Sequence, residues 1–143
     1  MKSKLIMAGL MVILAVSLVA CSPASEKISV DISCDDFTAS KHVINEFELP
    51  VGGEIVVTLC SNPTTGFEWE PAVISDEAVL KQVSHEYIGP ESDPPPPLGT
   101  PGQEVWTFET LKAGATEVSM QYSRPWEGGE KGEWTYNFTV TVK

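Results

Sequence analysis

Positive charge is scarce in this chain. Nine lysines and arginines face twenty aspartates and glutamates among 143 residues, a formal net charge of −11. That balance excludes nucleic acid as a partner, because its phosphate backbone is held by Lys and Arg. Histidine is scarcer, with only His42 and His85. Neither neighbours a motif serine or cysteine, so nucleophile–base chemistry has no visible carrier and an enzyme is not expected. Cysteine occurs three times, without the His spacing that a four-ligand zinc site needs. The acid clusters Asp35-Asp36 and Glu127/Glu130/Glu133 read as solvated surface rather than a calcium cage. No metal and no cofactor are therefore expected. Long helical periodicity and internal repeats are also missing, which excludes bundles and solenoids.

What is present begins at the N-terminus. Lys2 and Lys4 precede an apolar run over residues 5–20, the basic-then-apolar layout of a secretory signal. The run closes with Leu18-Val19-Ala20-Cys21, which resembles a lipobox, in which the chain is cut before the cysteine and Cys21 takes lipid. The alternative is an uncleaved membrane helix, for which the run is short. Residues 1–20 are thus read as a lipoprotein signal peptide, 21–27 as a lipidated tether, and 28–143 as one domain with one core. Such a protein is exported and held on the extracytoplasmic side of a membrane through lipid on Cys21. Several acyl chains anchor stably where one is marginal. The domain itself is expected to act as a monomer.

With Cys21 given to lipid, Cys34 and Cys60 remain. An even pair in an exported chain reads as a disulfide. Both cysteines sit in strand-like runs, so the bond would tie two strands and contribute about 3 kcal/mol on the chain-entropy model. Two buried free thiols are the alternative.

The body reads as all-β. Ile28, Val30 and Ile32 alternate with polar residues through a first strand. Residues 54–60 form a second, and 67–73 a third that Pro71 places at an edge or bends. Val79, Val83 and Tyr87 fall in step across a fourth. Residues 105–111 make a fifth, with Trp106 and Phe108 on one face, and Thr116, Val118, Met120 and Tyr122 alternate through a sixth. Trp134, Tyr136, Phe138, Val140 and Val142 give the clearest period of two, in the last strand. This pattern predicts an immunoglobulin-like antiparallel β-sandwich of about seven or eight strands.

Successive connections in such a sandwich alternate between its two ends, so the second, fourth and sixth emerge together. They are also the distinctive ones. The second is Asn62-Pro63-Thr64-Thr65-Gly66-Phe67, in which Pro63 fixes φ and Asn62 can hold a turn. The fourth runs from Gly89 through four prolines to Leu98-Gly99-Thr100-Pro101-Gly102, a stiff arm with a glycine-bearing tip. The sixth opens with Arg124-Pro125-Trp126, whose Arg and Trp are enriched at binding hot spots. Taken singly, each has a plainer reading: a tight turn, a rigid surface loop, and a tryptophan capping the core with Arg124 stacked on it.

In order and spacing, these three segments resemble the binding loops of the chagasin-like inhibitors of papain-family cysteine proteases. The resemblance covers residues 48–143. The Asn-Pro-Thr-Thr-Gly-Phe and Arg-Pro-Trp motifs match in full. The middle motif departs, with Gly99-Thr100-Pro101-Gly102 where the family has Gly-x-Gly-Gly, so Pro101 removes a backbone donor there. The resemblance implies reversible, non-covalent inhibition of a papain-family cysteine protease. The second loop would enter the cleft with Thr64 nearest the catalytic cysteine, and the other two would grip either side. The rival class is a lipid-anchored immunoglobulin-like adhesion or assembly module using the same loop end.

Overall fold

The structure, a computed structural model, describes residues 25–143. The expected signal peptide, Cys21 and the start of the tether lie outside the described residues. Nine strands and one short helix follow in the order β1 (Lys27–Ile32), α1 (Cys34–Ala39), β2 (His42–Leu49), β3 (Glu54–Ser61), β4 (Glu68–Trp69), β5 (Val73–Ile74), β6 (Leu80–Ile88), β7 (Gly102–Thr110), β8 (Gly114–Ser123) and β9 (Trp134–Val142). They form two sheets, β1-β3-β7-β6 and β2-β9-β8-β4, with β5 also pairing β8.

The alternation read from the sequence is what packs the two sheets together. Ile55, Val57 and Leu59 of β3, Trp106 and Phe108 of β7, Val118 and Met120 of β8, and Tyr136, Phe138 and Val140 of β9 are all buried between them. Burying each such side chain is worth about 1.5–3 kcal/mol before conformational entropy is charged against it. The all-β sandwich expected from the sequence is therefore the architecture found.

Four details differ from the expectation. The strand β2 is not marked by periodicity, because Asn45 occupies an inward position while Ile44 faces solvent. The expected third strand is broken into β4 and β5 around Pro71, whose missing N–H cannot join the ladder. Counted as one, they bring the strands to eight. The pairings β1–β3 and β2–β9 are parallel, because α1 carries the chain from one sheet to the other instead of a hairpin. Finally, the register of β6 shifts between Gln82 and Ser84, which turns Val83 outward and His85 toward Trp106.

Cys34 lies on the first turn of α1 and not on a strand. Ser33 caps that helix: its hydroxyl accepts from the Asp36 amide, and the Asp36 carboxylate accepts from the Ser33 N–H. The Ser33 hydroxyl, which also donates to Asp36 Oδ2 at 2.6 Å, and then the Ser33 N–H hold the Asp36 carboxyl below its usual range. The Cys34–Cys60 disulfide forms, with Cα atoms 5.1 Å apart, and it joins a helix to β3 rather than strand to strand.

Candidate functional site

The register places three connections at one end of the sandwich. Ser61 at the end of β3 pairs with Gly102 at the start of β7. Glu68 of β4 pairs with Ser123 at the end of β8, whose neighbour Tyr122 pairs with Trp134 at the start of β9. The loops 62–67, 89–101 and 124–133 therefore share an end, as parity requires. The unmarked β2 does not disturb the count, because it precedes all three loops. The split of β4 from β5 does not either, because both run antiparallel to β8.

The first loop folds on itself. Residues Pro63–Thr65 form one turn of 3-10 helix, and Gly66 ends it in the left-handed region at φ 79°. The Thr65 and Gly66 amides donate to the carbonyls of Asn62 and Pro63. Thr64 Oγ1 donates to Asn62 Oδ1 at 2.6 Å, and Thr65 Oγ1 to the Asn62 carbonyl at 2.7 Å. Both hydroxyls are thus satisfied within the loop, while Pro63, Thr64 and Thr65 stand exposed at its tip.

Asn62 links this loop to the rest of the site. Its side-chain Nδ2 donates to the Gly99 carbonyl at 2.9 Å, which ties the first loop to the proline arm. Its backbone N–H donates to the Tyr122 hydroxyl at 2.8 Å, which ties it to β8. The arm ends in a tight turn, with the Thr100 amide and hydroxyl both donating to the Pro97 carbonyl and Gly99 at φ 84°. A positive φ at this third turn position is what makes glycine the suited residue. Leu98 projects from that turn fully exposed. Gly102 does not belong to the tip: it opens β7, is buried, and a Cβ there would stand 2.4 Å from the Ile88 carbonyl.

The third loop closes over the first. Arg124 lies above the Phe67 ring, with Cζ 4.4 Å from its centroid, and so stacks on Phe67 instead of Trp126. The indole of Trp126 leans across Gly66, where a Cβ would stand 2.8 Å from Cη2. It is still 52% exposed, so it does not cap the core. The Arg124 amide donates to the Glu130 carbonyl, and Lys131 Nζ to the Arg124 carbonyl at 2.9 Å. Lys41 pairs with Glu133 at the base of the loop. That hydrogen bond raises the Lys41 ammonium and lowers the Glu133 carboxyl from their ordinary values.

Of the residues singled out from the sequence, Asn62, Pro63, Thr64, Thr65, Gly66, Leu98, Gly99, Thr100, Pro101, Arg124, Pro125 and Trp126 lie together at this end. Phe67 is there too, but pressed between Arg124 and Tyr122. Sequence reasoning missed the supports below: Tyr122, Trp134 and Phe37. They stack one on the next, Tyr122 on Trp134 at 4.7 Å and Trp134 on Phe37 at 4.9 Å. Only their inward strand positions, and the Ser33 cap that opens the helix under Phe37, hint at them in the sequence.

One polar cluster elsewhere bears on function. Ser61 Oγ donates to Glu104 Oε1 at 2.7 Å, and His85 Nε2 lies 2.6 Å from Glu104 Oε2. The carboxylate stands between hydroxyl and imidazole, so the histidine has no nucleophile to activate. Among the described residues, no group of three His, Cys, Asp or Glu side chains could hold a metal ion.

Three loops interlock at one end of a two-sheet domain. Residues 48–142 match the Chagasin family peptidase inhibitor I42, and the chain belongs to that family: it is an inhibitor and not an enzyme. It is 28% identical to Amoebiasin-2 of Entamoeba histolytica over 116 residues, covering 77% of this chain and 92% of that protein. It is 33% identical to Chagasin of Trypanosoma cruzi over 96 residues, covering 65% of this chain and 83% of that one. The fold is similar to the crystal structure of the cysteine protease inhibitor EhICP2 from Entamoeba histolytica. The TM-score is 0.64 at 18% identity, covering 84% of this chain and all of that one.

Proposed function

We propose that this protein inhibits a papain-like cysteine protease by seating its three-loop end in the active-site cleft, reversibly and without a covalent bond. The observation that carries the reading is the double engagement of Asn62, whose one side chain holds Thr64 and the Gly99 carbonyl in place. Loops fixed before contact lose little entropy on docking, which favours tight binding. The slim tip of Pro63, Thr64 and Thr65 enters the cleft, with Thr64 nearest the catalytic cysteine. The turn at Leu98 and the exposed indole of Trp126 then rest on its two walls. The loop resists cleavage because a 3-10 turn closed by its own hydrogen bonds does not offer the extended backbone of a substrate.

The protein acts as a monomer, exported and anchored through lipid on Cys21. The sequence features behind this placement are the basic-then-apolar leader and the Leu18-Val19-Ala20-Cys21 stretch. The net negative surface gives no attraction to anionic lipid, so the anchor carries the whole attachment.

The test is a titration of papain, assayed on a small fluorogenic substrate, with protein beginning at Ser22. Inhibition at nanomolar concentration that reverses on dilution is the expected result. Asn62→Ala removes two side-chain hydrogen bonds worth about 0.5–1.5 kcal/mol each, so it should weaken inhibition about tenfold. Absence of inhibition at micromolar concentration, against papain and a cathepsin, would overturn the reading. Mass spectrometry of protein extracted from the membranes of cells expressing the full chain tests the anchor: an N-terminus at Cys21 carrying acyl mass is expected, and an unmodified Cys21 would refute lipidation.

A further inference from the structure

The disulfide stands at the root of the docking loops. Cys60 lies two residues before Asn62 and accepts a hydrogen bond on its carbonyl from Trp69 Nε1 at 3.0 Å. Its partner Cys34 fixes the first turn of α1. That helix drives Phe37, fully buried, against Trp134 and against Trp69, 5.5 Å between ring centroids. From Phe37 a column of rings rises through Trp134 and Tyr122 to Phe67, with the Arg124 guanidinium on top. Tyr122 also receives the Asn62 N–H. Both ends of the loop 62–67 therefore rest on this column, and α1 forms its floor.

The bridge borders two clefts, reached from its Cys34 side because Cys60 is buried. One cleft of about 310 Å³ is lined by Ser33, Cys34, Cys60 and Gly102. Another, of about 460 Å³, is walled by Cys34 and Cys60 and reaches Asn62, Phe67 and Arg124. Cys34 is itself only half-buried.

We infer that Cys34, Cys60 and Phe37 are positioning residues for inhibition: the bridge holds α1 under the ring column, and a small thiol that reduces it lowers the inhibitor's affinity before it unfolds the domain. The exchange balances. One thiolate attacks a sulfur of the bridge and forms a mixed disulfide. A second thiol displaces it, leaving two cysteine thiols on the protein and one oxidised thiol dimer. The two sheets keep their ladders and apolar core, while the loop loses its floor. This inference rests on the loop end being the protease-docking site.

The experiment compares the full chain with Cys34→Ala/Cys60→Ala and with Phe37→Leu, against papain that has been activated and then freed of reductant. For each protein three quantities are read: the inhibition constant, the thermal midpoint, and hydrogen exchange at the Thr65 and Gly66 amides. The double variant should keep its strand signature by circular dichroism, raise the inhibition constant at least tenfold and speed exchange at both amides. Wild-type protein reduced with dithiothreitol and alkylated should match it. Phe37→Leu keeps the bridge and should raise the constant severalfold, which decides the matter if the double variant does not fold. A lower thermal midpoint with unchanged inhibition and unchanged exchange would make the bridge a fold staple only and overturn the inference. If oxidised wild-type protein fails to inhibit papain, the docking reading fails. The exchange at Thr65 and Gly66 still shows whether the bridge positions the loop.

Discussion

Trp126→Ala is expected to weaken inhibition of papain by roughly 30- to 1000-fold, the range of about 2–4 kcal/mol typical of a tryptophan at the centre of an interface. The thermal midpoint should hardly move. The indole is half exposed and lies over Gly66, outside the packed core between the sheets. A side chain that large, half left in water by the free protein, has about half of its apolar burial still to gain on docking. Titration of papain beside a thermal melt separates the two effects. A large fall in midpoint with unchanged inhibition would return Trp126 to the role of a core cap.

Gly66→Ala is expected to cost comparably by a different route. Gly66 sits at φ 79°, where an L-residue is strained by about 1–2 kcal/mol. Its new Cβ would also meet Trp126 Cη2 at 2.8 Å. The indole end is half exposed and can swing away, so the domain should remain folded. The loop then loses the arrangement in which Thr64 and Trp126 face a partner together, and inhibition should fall about a hundredfold. Because part of that loss runs through Trp126, the two substitutions should not add. In the Trp126→Ala background, Gly66→Ala should cost clearly less. Full additivity would show that the glycine acts through backbone strain alone.

The legible parts of this site were those carried by local chemistry and by counting. Asn62, Pro63 and Gly66 mark a tight loop in any context, and the strand count places it beside the other two loops. In the sequence Gly102 reads as part of the loop tip, because glycine serves a loop tip and a tight strand crossing equally well. Only the Ser61–Gly102 pairing and the nearby Ile88 carbonyl distinguish the two. The plainer reading of the third loop sets Arg124 on Trp126, its neighbour but one, yet Arg124 lies on Phe67, which is distant in sequence and adjacent across the loop end. Cys34 reads as a strand residue in the sequence although Ser33 and Asp36 form a capping box. The signal was present, but six residues of helix carry too little periodicity to stand out among strands.

Residue order alone determined that this is a β-sandwich of the chagasin family with its motif loops at one end. Period-two alternation, turn residues and connection parity are properties of the chain itself, and they survive an overlooked strand. Tertiary structure alone decided what holds those loops in place. The column from Phe37 to Arg124, the Asn62 bond to Tyr122 and the seat of Trp126 on Gly66 join residues far apart in the chain. Their distances depend on how α1 is pinned by Cys60 and how deeply Phe37 packs between Trp134 and Trp69, and close packing is settled only when every neighbour is in place.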